Sequence, residues 1–78
     1  MYIVYALYSP KYNKHYYGFT CNLEQRMLSH NELGNGWTAR CRPWIIIYTK
    51  EFETKAAAMV HEKWLKSGKG RAFIKSLN

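Results

Sequence analysis

Residues Tyr2 to Tyr8 mix β-branched and aromatic side chains, a pattern that predicts a strand. Ser9-Pro10-Lys11-Tyr12-Asn13-Lys14 carries turn residues, and His15 to Phe19 resumes an extended pattern, so a hairpin is expected. Side chains alternate along a strand, which groups Ile3, Tyr5 and Leu7 on one face and Tyr16 with Gly18 on another. If Tyr5 and Tyr16 lie on the same side, the glycine beside the second phenol keeps that place open. Asn22 is a good N-cap, and Gln25 completes a capping-box pattern for a helix running to about His30 or Asn31. Arg26 and His30 lie one helical turn apart and point the same way. Glu32-Leu33-Gly34-Asn35-Gly36 breaks that helix, and a loop with Trp37, Arg40 and Arg42 follows, ending at Pro43.

Trp44 to Phe52 contains Ile45-Ile46-Ile47, an apolar run that reads as a strand buried on both faces, in the middle of a sheet. Thr54 is expected to cap a second helix that stops at Gly68. Arg71 to Leu77 places Phe73, Ile74 and Leu77 on one helical face and is expected to dock as a short third helix. The predicted order is β-β-α-β-α-α, an α+β chain without internal repeats or low-complexity segments.

Composition narrows the function. The chain has 78 residues, 47% hydrophobic and 17% aromatic, which suits one domain over residues 1–78 with a core built largely from aromatic side chains. Its formal charge is +7, and the basic excess lies mainly after residue 38, which points to a polyanionic partner. Nucleic acid is favoured over a membrane, since no long apolar run or basic amphipathic anchor is present. Cys21 and Cys41 form neither a disulfide framework nor a zinc motif, so reduced thiols and a cytoplasmic location are expected, with no signal peptide.

The intervals between a few residues suggest chemistry. Tyr5 to Tyr16 allows one hairpin, and Tyr16 to Arg26 a loop and the first turn of a helix, so two phenols and a guanidinium can meet. Such a set can activate a nucleophile and stabilise a phosphate oxyanion. Arg26 reads either as an exposed helical arginine or as a bidentate phosphate contact that offsets charge as a phosphodiester breaks. His30 reads as incidental or as a group that orients water. A phenol is a poor base at neutral pH unless a cation lowers its pKa, which Arg26 or a metal-bound water network would do. Between Thr54 and Asn78, Glu62 is the only carboxylate, set among lysines and arginines. It fits equally an ion pair with Lys66 at i+4 and a hard oxygen ligand for one Mg²⁺, which takes one or two carboxylates plus phosphate and water. No phosphate-cradling glycine loop, HExxH or pair of carboxylates on one helix face offers a rival.

These residues resemble the skeleton of the GIY-YIG endonucleases, particularly their small stand-alone bacterial members. Ile3-Val4-Tyr5 resembles the GIY element and Tyr16-Tyr17-Gly18 the YIG element. Arg26, preceded by Asn22-Leu23, stands where the family's helical arginine is expected, and His30-Asn31 resembles the histidine that many members carry one turn later. Arg42-Pro43-Trp44 and Glu51-Phe52-Glu53-Thr54-Lys55 resemble the approach to the last strand and second helix. Ala58 and Glu62 to Lys66 resemble the stretch with the metal-binding glutamate. Ile3 replaces the first glycine and Tyr17 the central isoleucine, neither of which removes a functional side chain. Asn78 is the only candidate for the asparagine that many members carry downstream of the glutamate.

The resemblance implies a three-stranded antiparallel sheet flanked by helices and a phosphodiester hydrolase using a single divalent ion, Mg²⁺ or Mn²⁺. It implies Tyr5 as general base or proton relay, Tyr16 as a positioning group, Arg26 as the stabiliser of developing charge and Glu62 as the metal ligand. The expected substrate is DNA, branched or single-stranded, with a protein partner for targeting and a role in repair or recombination. Arg40, Arg42, Lys66, Lys69 and Arg71 are the expected backbone contacts. Two other readings use the same residues: a non-catalytic nucleic-acid-binding module, and a small protein-interaction domain presenting Tyr12 or Trp37.

Overall fold

A computed structural model describes residues 1–28 and 41–77 of the chain. Strand β1 (Tyr2–Ser9) lies between β2 (Lys14–Thr20) and β3 (Ile45–Phe52), and both neighbours run antiparallel to it. Helix α1 (Leu23–Leu28) follows β2, while α2 (Lys55–Lys66) and α3 (Gly68–Ser76) follow β3. The order β-β-α-β-α-α and the antiparallel sheet are as expected.

The middle of the sheet differs from expectation. β1 occupies it, and β3 is an edge strand whose Ile45 and Ile46 remain 49% and 41% exposed. Both β1 and β3 are rich in apolar residues, so the pattern alone ranks them equally. Coverage decides between them. Val4 and Ala6 pack with Ala58 and Leu65 of α2 and Ile74 of α3, while Tyr5 and Leu7 pack on the other face with Cys41, Trp44, Leu23 and Met27. Every side chain from Val4 to Leu7 is therefore buried. Truncating Leu65 or Ile74 to alanine in such a core costs about 2–5 kcal/mol. Along β3 the partner of Ala6 is Tyr48 and that of Leu7 is Ile46, so a bulge at Ile47 interrupts the alternation.

Local signals hold well. The hairpin turns with Asn13 in the left-handed region, φ 53°, a conformation that asparagine tolerates, and the Tyr8 hydroxyl donates to Asn13 Oδ1 at 3.2 Å. Asn22 caps α1, its Oδ1 accepting from the Gln25 amide at 3.1 Å. Thr54 caps α2, its Oγ1 accepting from the Ala57 amide at 3.2 Å. The expected end of α1 at His30 or Asn31 lies outside the described residues.

The junction of α2 and α3 departs from the expected glycine stop. Ser67 ends α2 and caps α3: its hydroxyl donates to the Trp64 carbonyl at 2.5 Å and accepts from the Gly70 amide at 3.3 Å. Gly68 is thus the first residue of α3 rather than the terminator of α2. Gly70 is buried against the backbone of Trp64 and Leu65, where a β-carbon would clash. The packing face of α3 runs through Gly70, Phe73 and Ile74, and Leu77, expected on it, is 49% exposed. The missing side chain at Gly70 lets the start of α3 approach α2, so the face shifts one turn towards the N-terminus. Among the described residues, no helix is long and apolar enough to cross a membrane.

Candidate active site

The hairpin register places Tyr5 directly opposite Gly18 and Leu7 opposite Tyr16. Tyr5 is 1% exposed, and its ring lies over Gly18: a β-carbon there would stand 2.8 Å from the phenol oxygen and 3.0 Å from Cζ. The glycine is required for this close approach. The Tyr16 ring stacks beside Tyr5, centroids 6.3 Å apart at 28°, and leans on Trp44 at 6.3 Å and 59°. Two aromatic neighbours thus orient the second phenol.

Arg26 comes from α1, whose start is held by the Asn22 cap, and its guanidinium hydrogen-bonds to the Tyr5 phenol. Glu62 comes from α2, which covers the opposite face of the sheet, yet it lines the same cavity of about 470 Å³ as Tyr5, Tyr16, Gly18 and Arg26. Residues from both faces of β2 line that cavity, because β2 is an edge strand and the space wraps round it. Four expected site residues, one each from β1, β2, α1 and α2, are therefore brought together.

Burial pushes the Tyr5 phenol up to about 12, with the neighbouring Tyr16 and Glu62 adding in the same direction. Arg26 acts the other way, through its charge and its hydrogen bond, but burial outweighs it. The cation expected to activate the phenol is thus present and by itself insufficient. Without further positive charge the proton stays on Tyr5 at neutral pH.

The ion-pair reading of Glu62 is realised. Its carboxylate pairs with Lys66 Nζ at 2.6 Å, and it also faces the cavity. One carboxylate in an open cavity suits a magnesium-type ion, which keeps several waters and takes its remaining ligands from phosphate. Among the described residues no group of three or more His, Cys, Asp or Glu is placed to cage a metal.

The other expected residues divide. His30, Arg40 and Asn78 lie outside the described residues. Lys66 lines the cavity, with Arg71 in a neighbouring one, whereas Arg42 and Lys69 line neither. The sequence reading missed Lys55, His15 and Tyr17, which also line this cavity. Lys55 directly follows the Thr54 cap, and that position at the start of α2 was its only local signal. His15 and Tyr17 share the β2 face that α2 covers, which becomes informative only once the register is known.

Comparison with known proteins agrees with this geometry. The model of the GIY-YIG catalytic domain matches residues 1–77. A UPF0213 protein of Staphylococcus haemolyticus is 36% identical over 58 residues, spanning 73% of this chain and 71% of that protein. No solved structure matches the chain. A match from end to end, on a β-β-α-β-α-α sheet with both tyrosines, the arginine and the glutamate at one cavity, shows that the chain belongs to the GIY-YIG family of nuclease domains.

Proposed function

We propose that this protein is a metal-dependent endonuclease that hydrolyses phosphodiester bonds in DNA, with residues 1–78 forming one catalytic domain. The observation that carries the reading is the convergence of Tyr5, Tyr16, Arg26 and Glu62 on one cavity. Its rim carries Arg26, Lys55 and Lys66, which suit a polyanionic strand. Charge and shape supply affinity without base-edge contacts, so the cutting is directed by DNA structure or only weakly by sequence. Targeting through a protein partner, a role in repair or recombination and a cytoplasmic location complete the reading. The free thiols Cys21 and Cys41 suit a reducing compartment.

In the reaction a water oxygen forms a bond to phosphorus while the bond to the leaving deoxyribose oxygen breaks, and that oxygen takes up a proton from solvent in the open cavity. Tyr5, kept protonated by burial, serves as a relay: its oxygen accepts the water's proton as its own passes to solvent in the open cavity. Tyr16, fixed between Tyr5 and Trp44, positions the water or the phosphate. Arg26 stabilises charge developing on the phosphate oxygens, a contribution of the kind whose loss costs about 10²–10³ in rate. Glu62 is the residue that would hold Mg²⁺ or Mn²⁺, which would supply positive charge beside the departing oxygen.

A second reading, a binding module without catalysis, is favoured by the Glu62–Lys66 pair, which satisfies the carboxylate without metal. A labelled panel of duplex, single-stranded, flap and branched DNA, incubated with Mg²⁺, Mn²⁺ or EDTA, separates the two. Metal-dependent cutting that Glu62→Ala abolishes supports the nuclease and reveals the preferred substrate shape. Tight, salt-sensitive binding without cutting supports the binding module.

A further inference from the structure

Beside the catalytic cavity lies a second one of about 450 Å³, lined by Lys14, His15, Tyr17, Arg71 and Lys75. The two cavities share His15 and Tyr17, whose rings stack at 6.2 Å and 6°. Two separate parts of the fold build the second cavity. Lys14 opens β2, whereas Arg71 and Lys75 stand four residues apart on α3 and so share a face. The lining contains no carboxylate, and none of these three cations forms an ion pair among the described residues. Like charges at i and i+4 repel, so the arrangement lacks a stabilising role of its own.

The neighbouring imidazole adds a second observation. His15 Nε2 is buried with no hydrogen-bond partner among the described residues, an arrangement that is costly unless something satisfies it. Burial and the nearby Lys75 both hold the His15 pKa below its ordinary value. The three cations therefore lie beside a neutral ring, with no counter-charge supplied by the described residues.

We propose that the Lys14, Arg71 and Lys75 cavity is a second phosphate-binding site, which holds the backbone of the same nucleic-acid strand that enters the catalytic cavity, on one side of the cut. The chemistry fits a phosphodiester. Arg71 offers a planar fork to phosphate oxygens and the two lysines offer mobile point charges. The strand reaches this site past the His15 and Tyr17 rings that join the cavities. Only part of this surface was anticipated, since Arg71 stood among the expected contacts and Lys14 and His15 did not. This inference rests on the neighbouring cavity being the cutting site, and it gives the bound strand a fixed path along β2 towards the hairpin turn.

The test measures binding in EDTA, where cutting is absent, using a short fluorescein-labelled single-stranded oligonucleotide across a potassium chloride series. Wild type is compared with Lys14→Gln/Lys75→Gln and with a charge-matched control, Lys11→Gln/Lys63→Gln, whose lysines line neither cavity. The cavity variant is expected to bind at least tenfold more weakly at low salt. Its log–log salt slope should be shallower by about 1.4, the value for two lost contacts to a single strand. The control should keep the wild-type slope, and circular dichroism verifies folding of both. In wild type the His15 ring resonances should move on adding oligonucleotide and respond far less to inorganic pyrophosphate. Equal slopes for the cavity variant and wild type overturn the proposal, as does a His15 response to pyrophosphate as strong as that to the oligonucleotide, which would mark a site for free phosphate. Failure of wild type to cut any DNA with Mg²⁺ or Mn²⁺ would sink the nuclease reading alone, because the binding comparison is made without metal.

Discussion

The phenol of Tyr5 occupies the space that a side chain at Gly18, its partner across the hairpin, would need. The relation is steric, since Gly18 has no left-handed φ to explain the glycine. Adding a methyl group there must displace the Tyr5 ring, the best-buried part of the candidate site. Gly18→Ala is expected to lower DNA cleavage about ten- to a hundredfold. Overpacking of this kind costs about 1–3 kcal/mol, so the variant should remain folded. Single-turnover cleavage beside urea denaturation checks both, and a variant that cuts at the wild-type rate would show that the position of Tyr5 is immaterial.

The raised pKa of Tyr5 has a consequence for stability in alkali. In the unfolded chain a tyrosine ionises near pH 10, whereas folded Tyr5 holds its proton to about 12. Between those values the unfolded state has released a proton that the native state keeps, so stability falls as pH rises. Tyr17 and Tyr48 are raised by burial as well, which makes a difference measurement necessary. Wild type should lose stability more steeply than Tyr5→Phe from pH 10 towards 12, with the two curves parallel below pH 9. Urea denaturation across that range decides it; parallel curves throughout would mean that Tyr5 ionises normally.

Arg26 is expected to act through its shape as well as its charge. A lysine at this position keeps the charge but presents a single ammonium in place of a planar fork. Arg26→Lys should therefore fall close to Arg26→Ala, about 10²–10³ below wild type in kcat, with KM changed far less. A lysine variant with near wild-type turnover would reduce the role of Arg26 to charge alone.

The close seat of Gly70 makes the α2–α3 junction sensitive to one methyl group. A β-carbon at residue 70 would collide with the backbone of Trp64 and Leu65, and backbone cannot swing aside as a side chain does. Gly70→Ala is expected to lower the unfolding midpoint well beyond Ser67→Ala, which loses a cap worth about 0.5–2 kcal/mol. Thermal melts of the two variants give the comparison, and a Gly70→Ala protein as stable as wild type would contradict the packing described.

Much of this protein is legible along the chain because the deciding forces are local. The Asn22 and Thr54 caps depend on side chains reaching amides three residues away, and both form as their patterns suggest. The hairpin needs only turn residues between two apolar runs, and its register follows from the turn. The spacing of Tyr5, Tyr16 and Arg26 was likewise readable, Glu62 stood out as the lone carboxylate of its stretch, and the four residues do share a cavity. Ser67 shows the limit of local reading: serine and glycine side by side each suit a helix end, and only the hydrogen bonds to Trp64 and Gly70 assign their parts.

Strand order, by contrast, belongs to the tertiary structure. Tyr2 to Tyr8 and Trp44 to Phe52 are both apolar enough for the centre of a sheet, and β1 takes it because helices and the Cys41–Trp44 segment cover both its faces. The proton affinity of Tyr5 is decided in the same way, by burial that outweighs the opposing charge of Arg26 from α1, with Tyr16 of β2 and Glu62 of α2 acting in the same direction as burial. So is the meeting of Lys14 with Arg71 and Lys75 at a second cavity. Hydrogen bonds at caps and turns act over a few residues and leave their mark in the sequence. Burial and electrostatics act through space, so their outcome exists only once distant segments have packed together.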